Sequence, residues 1–307
     1  MTDRISNGQI VVGVDGSSDS GVALDWAAAE AHARAAGLLI VYGLHVPLTV
    51  GPYGTPSIMP AMEDLRRYGE DVLADATRRV AGQAPGVEVE TWLAAHPPAE
   101  ALLQASRDGA SLVVVGTRGL GTAAAIAMGS VSNQVATHAA CPTIVIPEPE
   151  QAPPDDGSIV VGVDGSEHGS AALRFALREA SLRSAKVVAV HAYRAPAPPF
   201  TFFNPAGTDA AAEAERQHAQ SLVRAEASVD QAVATAASET GVEADVTVRI
   251  TEGRPADVLI DQSRDAALTV VGTRGHGELR AVVLGSVSHA VVSHARRPVA
   301  VVRADAA

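Results

Sequence analysis

One stretch of eight letters occurs twice in this chain and limits what it can fold into. IVVGVDGS fills residues 10–17 and again residues 159–166. Two further stretches repeat in the same order: VVGTRG at 114–119 and 270–275, and GSVS at 129–132 and 285–288. A repeat that spans about half of the chain is far longer than the roughly 20–45-residue units of solenoid proteins. The sequence therefore predicts a duplicated domain, in which the fold and any binding site occur twice.

The stretch between the two copies has the composition of a linker. Residues 148–157 read EPEQAPPDDG, with three prolines and four acidic residues. Proline stiffens the chain and acidic residues favour solvent, so this stretch should be exposed and semi-rigid. We therefore predict a first domain over residues 1–148, a linker over 149–157 and a second domain over 158–307.

Short apolar runs alternate with helical patterns in both copies. The first copy predicts strands at 9–14, 38–46, 87–93, 111–116 and 143–146, and the second at 159–163, 186–191, 242–250, 268–272 and 299–302. Strands that alternate with helices form right-handed βαβ units. We expect two tandem Rossmann-like α/β domains, each an open, mostly parallel five-stranded sheet with helices on both faces. Pairing strand 143–146 with strand 299–302 would close two exposed edges within one chain.

Charge and cysteine content exclude several classes of function. The net charge is −12, and a negative surface repels phosphate backbones and anionic lipids. Nucleic acids and membranes are therefore not expected as partners. The single cysteine, Cys141, excludes a disulfide framework and fits a buried core side chain. No apolar stretch reaches the length of a membrane span, which predicts a soluble cytoplasmic protein.

The repeated glycines predict two polyphosphate sites. In the first copy Gly116 and Gly119 are followed, after nine residues, by Gly129 and Ser130, and the second copy keeps this spacing. Ligands of open α/β sheets bind beyond the carboxyl ends of the strands, where these glycines and Asp15 lie. Glycines let the backbone approach a phosphate, exposed N–H groups attract anions, and a helix that begins at Ser130 adds its positive end.

The G-x2-G-x9-G-[ST] spacing, together with VGVDGS at the end of the first strand, resembles the universal stress protein family. The resemblance covers nearly the whole chain twice, as in tandem members from actinobacteria. It implies the universal stress protein or adenine nucleotide α-hydrolase-like fold and one ATP cleft in each domain. It also implies a nucleotide-dependent regulator or sensor in the stress response.

The resemblance assigns ATP-binding positions in both copies. In the first copy they are Asp15, Gly16, Ser17, His45, Val46, Gly116, Thr117, Arg118, Gly119, Gly129, Ser130, Val131 and Ser132. In the second copy they are Asp164, Gly165, Ser166, His191, Ala192, Gly272, Thr273, Arg274, Gly275, Gly285, Ser286, Val287 and Ser288. Asp15 and Asp164 are also candidates to help position the Mg²⁺ that accompanies ATP.

Two other functions remain open at the level of sequence. One is a slow ATPase or a nucleotidyl-transfer enzyme, for which Arg118 supplies charge but Asp15 is the only base that we find. The other is an interaction protein with vestigial clefts, against which the intact glycines of both copies argue. A homodimer formed through the edge strands is expected, and the sequence names no protein partner.

Overall fold

A computed structural model describes residues 8–44, 62–117, 119, 128–147, 157–194, 209–275 and 283–304. The first half contains β1 (Ile10–Gly13), α1 (Ser18–Arg34), β2 (Leu38–Gly43), α2 (Met62–Gln83), β3 (Val89–Ala94), α3 (Pro98–Arg107), β4 (Leu112–Gly116), α4 (Ser130–His138) and β5 (Thr143–Ile146). The second contains β6 (Ile159–Gly162), α5 (Glu167–Arg183), β7 (Val187–Tyr193), α6 (Asp209–Thr240), β8 (Val246–Glu252), α7 (Pro255–Gln262), a 3₁₀ turn (Ser263–Asp265), β9 (Leu268–Gly272), α8 (Ser286–His294) and β10 (Val299–Val302).

The strands form one continuous sheet in the order β3-β2-β1-β4-β5-β10-β9-β6-β7-β8. Neighbouring strands run parallel within each half. The halves meet where β5 pairs antiparallel with β10, with Ile144 opposite Ala300. This confirms the predicted mostly parallel sheets and the predicted pairing of the two last strands. Strand order reverses between β1 and β4 and again between β6 and β9, which creates two switch points.

Helices cover both faces of the sheet, as predicted. Successive strand residues point to opposite faces, so Ile10 and Val12 belong to one core cluster and Val11 to the other. Small residues let the helices lie close to the sheet: Ala23 and Ala27 of α1 are fully buried. Strands buried on both faces are typical of parallel sheets covered by helices.

After β1 the sequence predicts a helix, α1, that Ser17, Ser18 or Asp19 caps and Gly37 ends. Ser17 caps its first turn, with its Oγ accepting a hydrogen bond from Ser20 N–H at 3.2 Å. We expected Gly37 to end the helix, but Ala35 adopts the left-handed conformation at φ 50°. The following N–H, that of Ala36, donates to Ala31 O at 2.9 Å, which closes the last turn around this unfavourable residue. Ser184 has the same conformation at the end of α5.

Among the described residues, no helix combines the length and the apolar character that crossing a membrane requires.

Candidate functional site

The aspartate of the repeated octapeptide forms a rigid turn after the first strand of each half. Oδ1 of Asp15 accepts hydrogen bonds from the Ser17 backbone N–H at 3.0 Å and from Ser17 Oγ at 2.6 Å. Asp164 and Ser166 make the same two contacts at the same distances. The glycines inside these turns, Gly16 and Gly165, have φ values of 86° and 81°, which glycine adopts without strain.

Each of these aspartates lies against a glycine from the second repeated motif. A Cβ placed on Gly119 would overlap Oδ2 of Asp15, and one placed on Gly275 would lie 2.5 Å from Oδ2 of Asp164. Residues far apart in the chain therefore meet at the carboxyl ends of neighbouring strands. The structure brings the two motifs together at the switch points, as the sequence predicted.

Backbone and serine hydrogen bonds hold the segments on both sides of each glycine loop. In the first half, Thr117 N–H donates to Ile146 O at 3.0 Å, Gly129 N–H to Thr117 O at 2.7 Å, and buried Ser132 Oγ to Gly116 O at 2.6 Å. The second half has the equivalent contacts Thr273 N–H to Val302 O (2.9 Å), Gly285 N–H to Thr273 O (2.8 Å) and Ser288 Oγ to Gly272 O (2.6 Å). Ser132 and Ser288 thus tie α4 and α8 to the ends of β4 and β9, whereas Ser130 and Ser286 are exposed at the start of these helices.

The glycines that end β4 and β9 accommodate a helix. A Cβ on Gly116 would lie 3.0 Å from the carbonyl oxygen of Asp19, and one on Gly272 would lie 2.8 Å from the carbonyl carbon of His168. Any side chain at these positions would press on the first turn of α1 or α5. We expected these glycines to give room to phosphate, and the structure adds close helix packing as a second reason for them.

The second half contains a cleft of about 290 Å³ at its switch point. Its lining residues are Gly162, Val163, Asp164, Gly169, Val190, Ala192, Pro255, Leu259, Val271, Gly272, Arg274, Gly275, Gly285, Ser286, Val287 and Ser288. One end is polar, with Asp164, half-buried Arg274 and the start of α8. The other end is apolar, with Val190 and Leu259. This shape suits a ligand with an anionic part and a flat, less polar part.

The remaining predicted residues of the second half support the cleft from outside. Gly165 and Ser166 form the turn and the helix cap, and Thr273 is buried. The imidazole of His191 points away, because Val190 and Ala192 line the cleft on alternate positions of β7. Nδ1 of His191 lies 2.8 Å from Val163 O, so this nitrogen carries the proton and donates to the carbonyl.

The first half repeats the parts of this arrangement that lie in the described residues. They are Asp15, Gly16, Ser17, Gly116, Thr117, Gly119, Gly129, Ser130, Val131 and Ser132. Three predicted residues, His45, Val46 and Arg118, lie outside the described part of the chain.

Comparison with known proteins gives the family. A family model described as the universal stress protein family matches residues 7–147 and again residues 157–303. The chain belongs to the universal stress protein family. This agrees with the resemblance of the glycine spacing and with the duplication of the fold.

Universal stress proteins of mycobacteria match this chain along its length. One from Mycolicibacterium smegmatis is 30% identical over 303 residues, with 96% of each chain covered. One from Mycobacterium tuberculosis strain H37Rv is 33% identical over 310 residues, also with 96% of each covered. A solved universal stress protein from Archaeoglobus fulgidus has the same fold, with a TM-score of 0.65 at 17% identity over 98% of this chain and 100% of that one.

Sequence reasoning missed the apolar end of this universal stress protein's cleft. Val190, Pro255 and Leu259 line it, yet none of them belongs to a repeated motif. The sequence of β7 could have indicated Val190, because residues at alternate positions of a strand share a face and Ala192 was predicted for the site. The approach of α7 depends on tertiary packing and had no local signal.

Proposed function

We propose that this universal stress protein binds ATP, with one cleft in each half, and acts as a nucleotide-dependent regulator in the stress response. The cleft of the second half carries the proposal, because it gathers Asp164, Arg274, Gly275 and Ser286 from separate parts of the chain. Family membership and the repeated first-half geometry extend the proposal to both halves.

The polar end of the cleft suits the phosphates. Backbone N–H groups around Gly275 and the N-terminus of α8 attract anions without a charged side chain. Arg274 adds a positive charge from half-buried surroundings, where screening by salt is weaker than at the open surface. These groups would hold a polyphosphate without the lysine of other nucleotide-binding loops.

The apolar end suits the nucleoside. Val190, Ala192, Pro255 and Leu259 offer apolar contact near the end of β7, where a base could be buried. Asp164, which belongs to the polar end, can accept hydrogen bonds from the hydroxyl groups of a ribose.

Mg²⁺ fits the aspartates of the site. No cluster of three metal-binding side chains occurs in the described part of the chain. Mg²⁺ bound with a nucleotide needs only one or two protein carboxylates, since phosphates and water supply the other oxygens. We therefore propose that Asp15 and Asp164 help hold the ion that arrives with ATP, where it would neutralise phosphate charge.

Binding of MgATP to the full chain, measured by isothermal titration calorimetry, tests the function. We expect the wild type to bind and a Gly119→Ala, Gly275→Ala double variant to bind at least about tenfold more weakly, because each Cβ displaces an aspartate carboxylate and a lost charged contact costs roughly that much. Gly82→Ala is the control, since no atom lies within 4 Å of its added Cβ. A wild type that binds no nucleotide refutes the function, and unchanged binding by the double variant refutes the site.

The assembly and location follow from the same proposal. The paired β5 and β10 leave β3 and β8 as the outer strands of the sheet, so we propose that a homodimer of whole chains would form through one of these. A regulator that reads ATP requires the cytoplasmic pool, and we expect it to act there with protein partners that recognise the loaded state.

A further inference from the structure

The two clefts differ at the residue that contacts the threonine of the second repeated motif, which is Thr117 in the first half and Thr273 in the second. Asp19 in α1 and His168 in α5 occupy equivalent positions relative to the repeated octapeptide. Oδ2 of Asp19 lies 3.4 Å from Oγ1 of Thr117, and Nδ1 of His168 lies 3.0 Å from Oγ1 of Thr273. Each residue therefore supports the same threonine of its own loop, but one is an acid and the other an imidazole.

This difference changes the charge that a bound polyphosphate would meet. Asp19 is buried, with 8% of its surface exposed, so its negative charge is poorly screened by solvent. It also offsets the positive end of α1, which would otherwise attract an anion. In the second half, Nδ1 of His168 accepts the backbone N–H of Ala304 at 3.0 Å, and it brings no negative charge beneath the loop.

The other charges around α5 leave this contrast in place. Its first-turn acid, Glu167, is exposed and faces the groove that it lines with Arg174 and Glu239, away from the cleft. Arg274 follows Thr273 as Arg118 follows Thr117, so this arginine does not distinguish the two halves. Arg303 precedes Ala304 and places a positive residue next in the chain to a donor to His168. The second cleft is therefore the more favourable of the two for an anion.

The clefts also differ at the end that would hold the base. In the first half, a Cβ on Gly43 would lie 2.6 Å from the nitrogen of Pro98, so the start of α3 packs directly on β2. The equivalent position of the second half is Ala192, which carries a real Cβ and lines the open cleft together with Pro255. Helix α7 thus stands further from its strand than α3 does, and leaves room for a flat ring.

We infer that the two clefts are unequal and that ATP fills the second cleft first, with the charge at position 19 or 168 setting much of the difference. Because this inequality presupposes ATP binding, it rests on the function proposed above. One buried charge close to a polyanion changes affinity by about tenfold or more at the effective dielectric of a protein interior. We therefore expect two dissociation constants that differ by at least about tenfold.

Calorimetric titration of the full chain with MgATP tests this inference. Gly275→Ala should weaken the tighter binding event by at least about tenfold, and its matched partner Gly119→Ala should leave that event in place. Two equal sites in the wild type, or loss of the tighter event in Gly119→Ala, would overturn the inequality while leaving ATP binding intact. No binding at all in the wild type would overturn the proposed function and this inference with it.

Charge variants separate electrostatics from packing. We expect His168→Asp to weaken the tighter event by about tenfold, and Asp19→Asn to strengthen the weaker one. His168→Asn is the control, because its amide oxygen can accept the Ala304 N–H without adding charge. Equal losses in His168→Asp and His168→Asn would show that the packing of the imidazole matters and would refute the role of charge.

Discussion

Gly116 and Gly272 show how one residue type serves a site through packing. Each ends a strand directly beneath the first turn of a helix, so the absent side chain decides how close the helix can come. That helix carries the cap serine and lies beside the aspartate of the cleft. The positions of Gly116 and Gly272 in the site therefore depend on helix packing beneath them.

Replacing Gly272 by alanine should destabilise the protein by about 1–3 kcal/mol, the usual range for overpacking a core. The added Cβ would lie 2.8 Å from both the carbonyl carbon and the Cβ of His168, and helix backbone cannot move aside cheaply. Urea unfolding followed by circular dichroism measures the effect. Gly116→Ala should cost less, because its shortest contact is 3.0 Å, and Gly82→Ala should be neutral or stabilising. A Gly272→Ala protein as stable as Gly82→Ala would contradict this.

Cys141 should be inert in the folded protein. It is buried, and that burial raises the pKa of the thiol to about 12. Since the thiolate is the reactive form, alkylation by iodoacetamide at pH 8 should be at least about a hundredfold slower in buffer than in urea. The raised pKa also makes stability fall as the pH rises above about 9, the ordinary value for this thiol, a loss that Cys141→Ala should lack. Rapid alkylation without denaturant would count against burial.

Site residues could be predicted from the sequence where they belong to a repeated motif. Asp164, Gly275 and Ser286 line the cleft as their spacing indicated. His191 was predicted from its place at the end of a strand, yet it points to the other face, because neighbouring strand residues alternate. Asp19 and His168 were not predicted as site residues, because their contacts with Thr117 and Thr273 depend on how α1 and α5 pack.

At the scale of elements, α1 and α5 join the two halves through a ring of four charges. Arg34 contacts Glu179, and Arg183 Nη2 lies 2.5 Å from Glu30 Oε2, while each arginine also pairs with the glutamate of its own helix. Burial raises the pKa of the Glu179 carboxyl, Arg34 opposes that rise, and Glu30 adds to it. The carboxylates are therefore tolerated inside only because the arginines are present.

Replacing Arg34 by methionine should cost about 3 kcal/mol or more, because two buried carboxylates would then share one arginine. Removing Arg34 should raise the pKa of Glu179 further, so folding would favour its protonated form. Stability should then recover as the pH falls from 7 to 5, since a folded-state pKa above the unfolded value means that acid stabilises. Unfolding in urea at both pH values measures this change.

A matched exposed pair separates burial from charge in that experiment. Arg78 pairs with Asp75 on α2, and about 70% of each side chain is exposed. Arg78→Met should change stability by no more than about 0.5 kcal/mol at either pH, as solvent screens surface pairs. Equal changes in the free energy of unfolding for Arg34→Met and Arg78→Met would show that burial of the four-charge ring does not increase its contribution to stability.

Strand and helix positions followed from sequence better than helix ends or lengths did. The predicted strand at 143–146 matches β5, because a short apolar run after Pro142 has few alternatives. The predicted end of α1, at Gly37, was wrong by two residues. Ala35 already adopts the left-handed conformation, and hydrogen bonds that close the last turn hold it there. Helix α6 has 32 residues, whereas its equivalent in the first half, α2, has 22. The repeat therefore did not indicate the length of α6.

At the scale of the whole molecule, the β5–β10 join has the register of a two-fold symmetric pair. Ile144 faces Ala300, which is its equivalent in the second half, and Val145 faces Val299. The crossed ion pairs between α1 and α5 obey the same symmetry. The second half therefore occupies the place that a second copy of the first half would take.

The first half alone, residues 8–147, should form a homodimer for this reason. Without β10, the fully buried Ile144 and its neighbours on β5 would be exposed along an unpaired edge, which favours pairing with another strand. A second β5 can satisfy the same antiparallel register, and Glu30 of each copy can meet Arg34 of the other. Light scattering at two concentrations should give twice the mass of the half, and a monomer at both would contradict the symmetry. Glu30→Ala should weaken this dimer, whereas Glu70→Ala, which removes only an exposed pair with Arg66, should not.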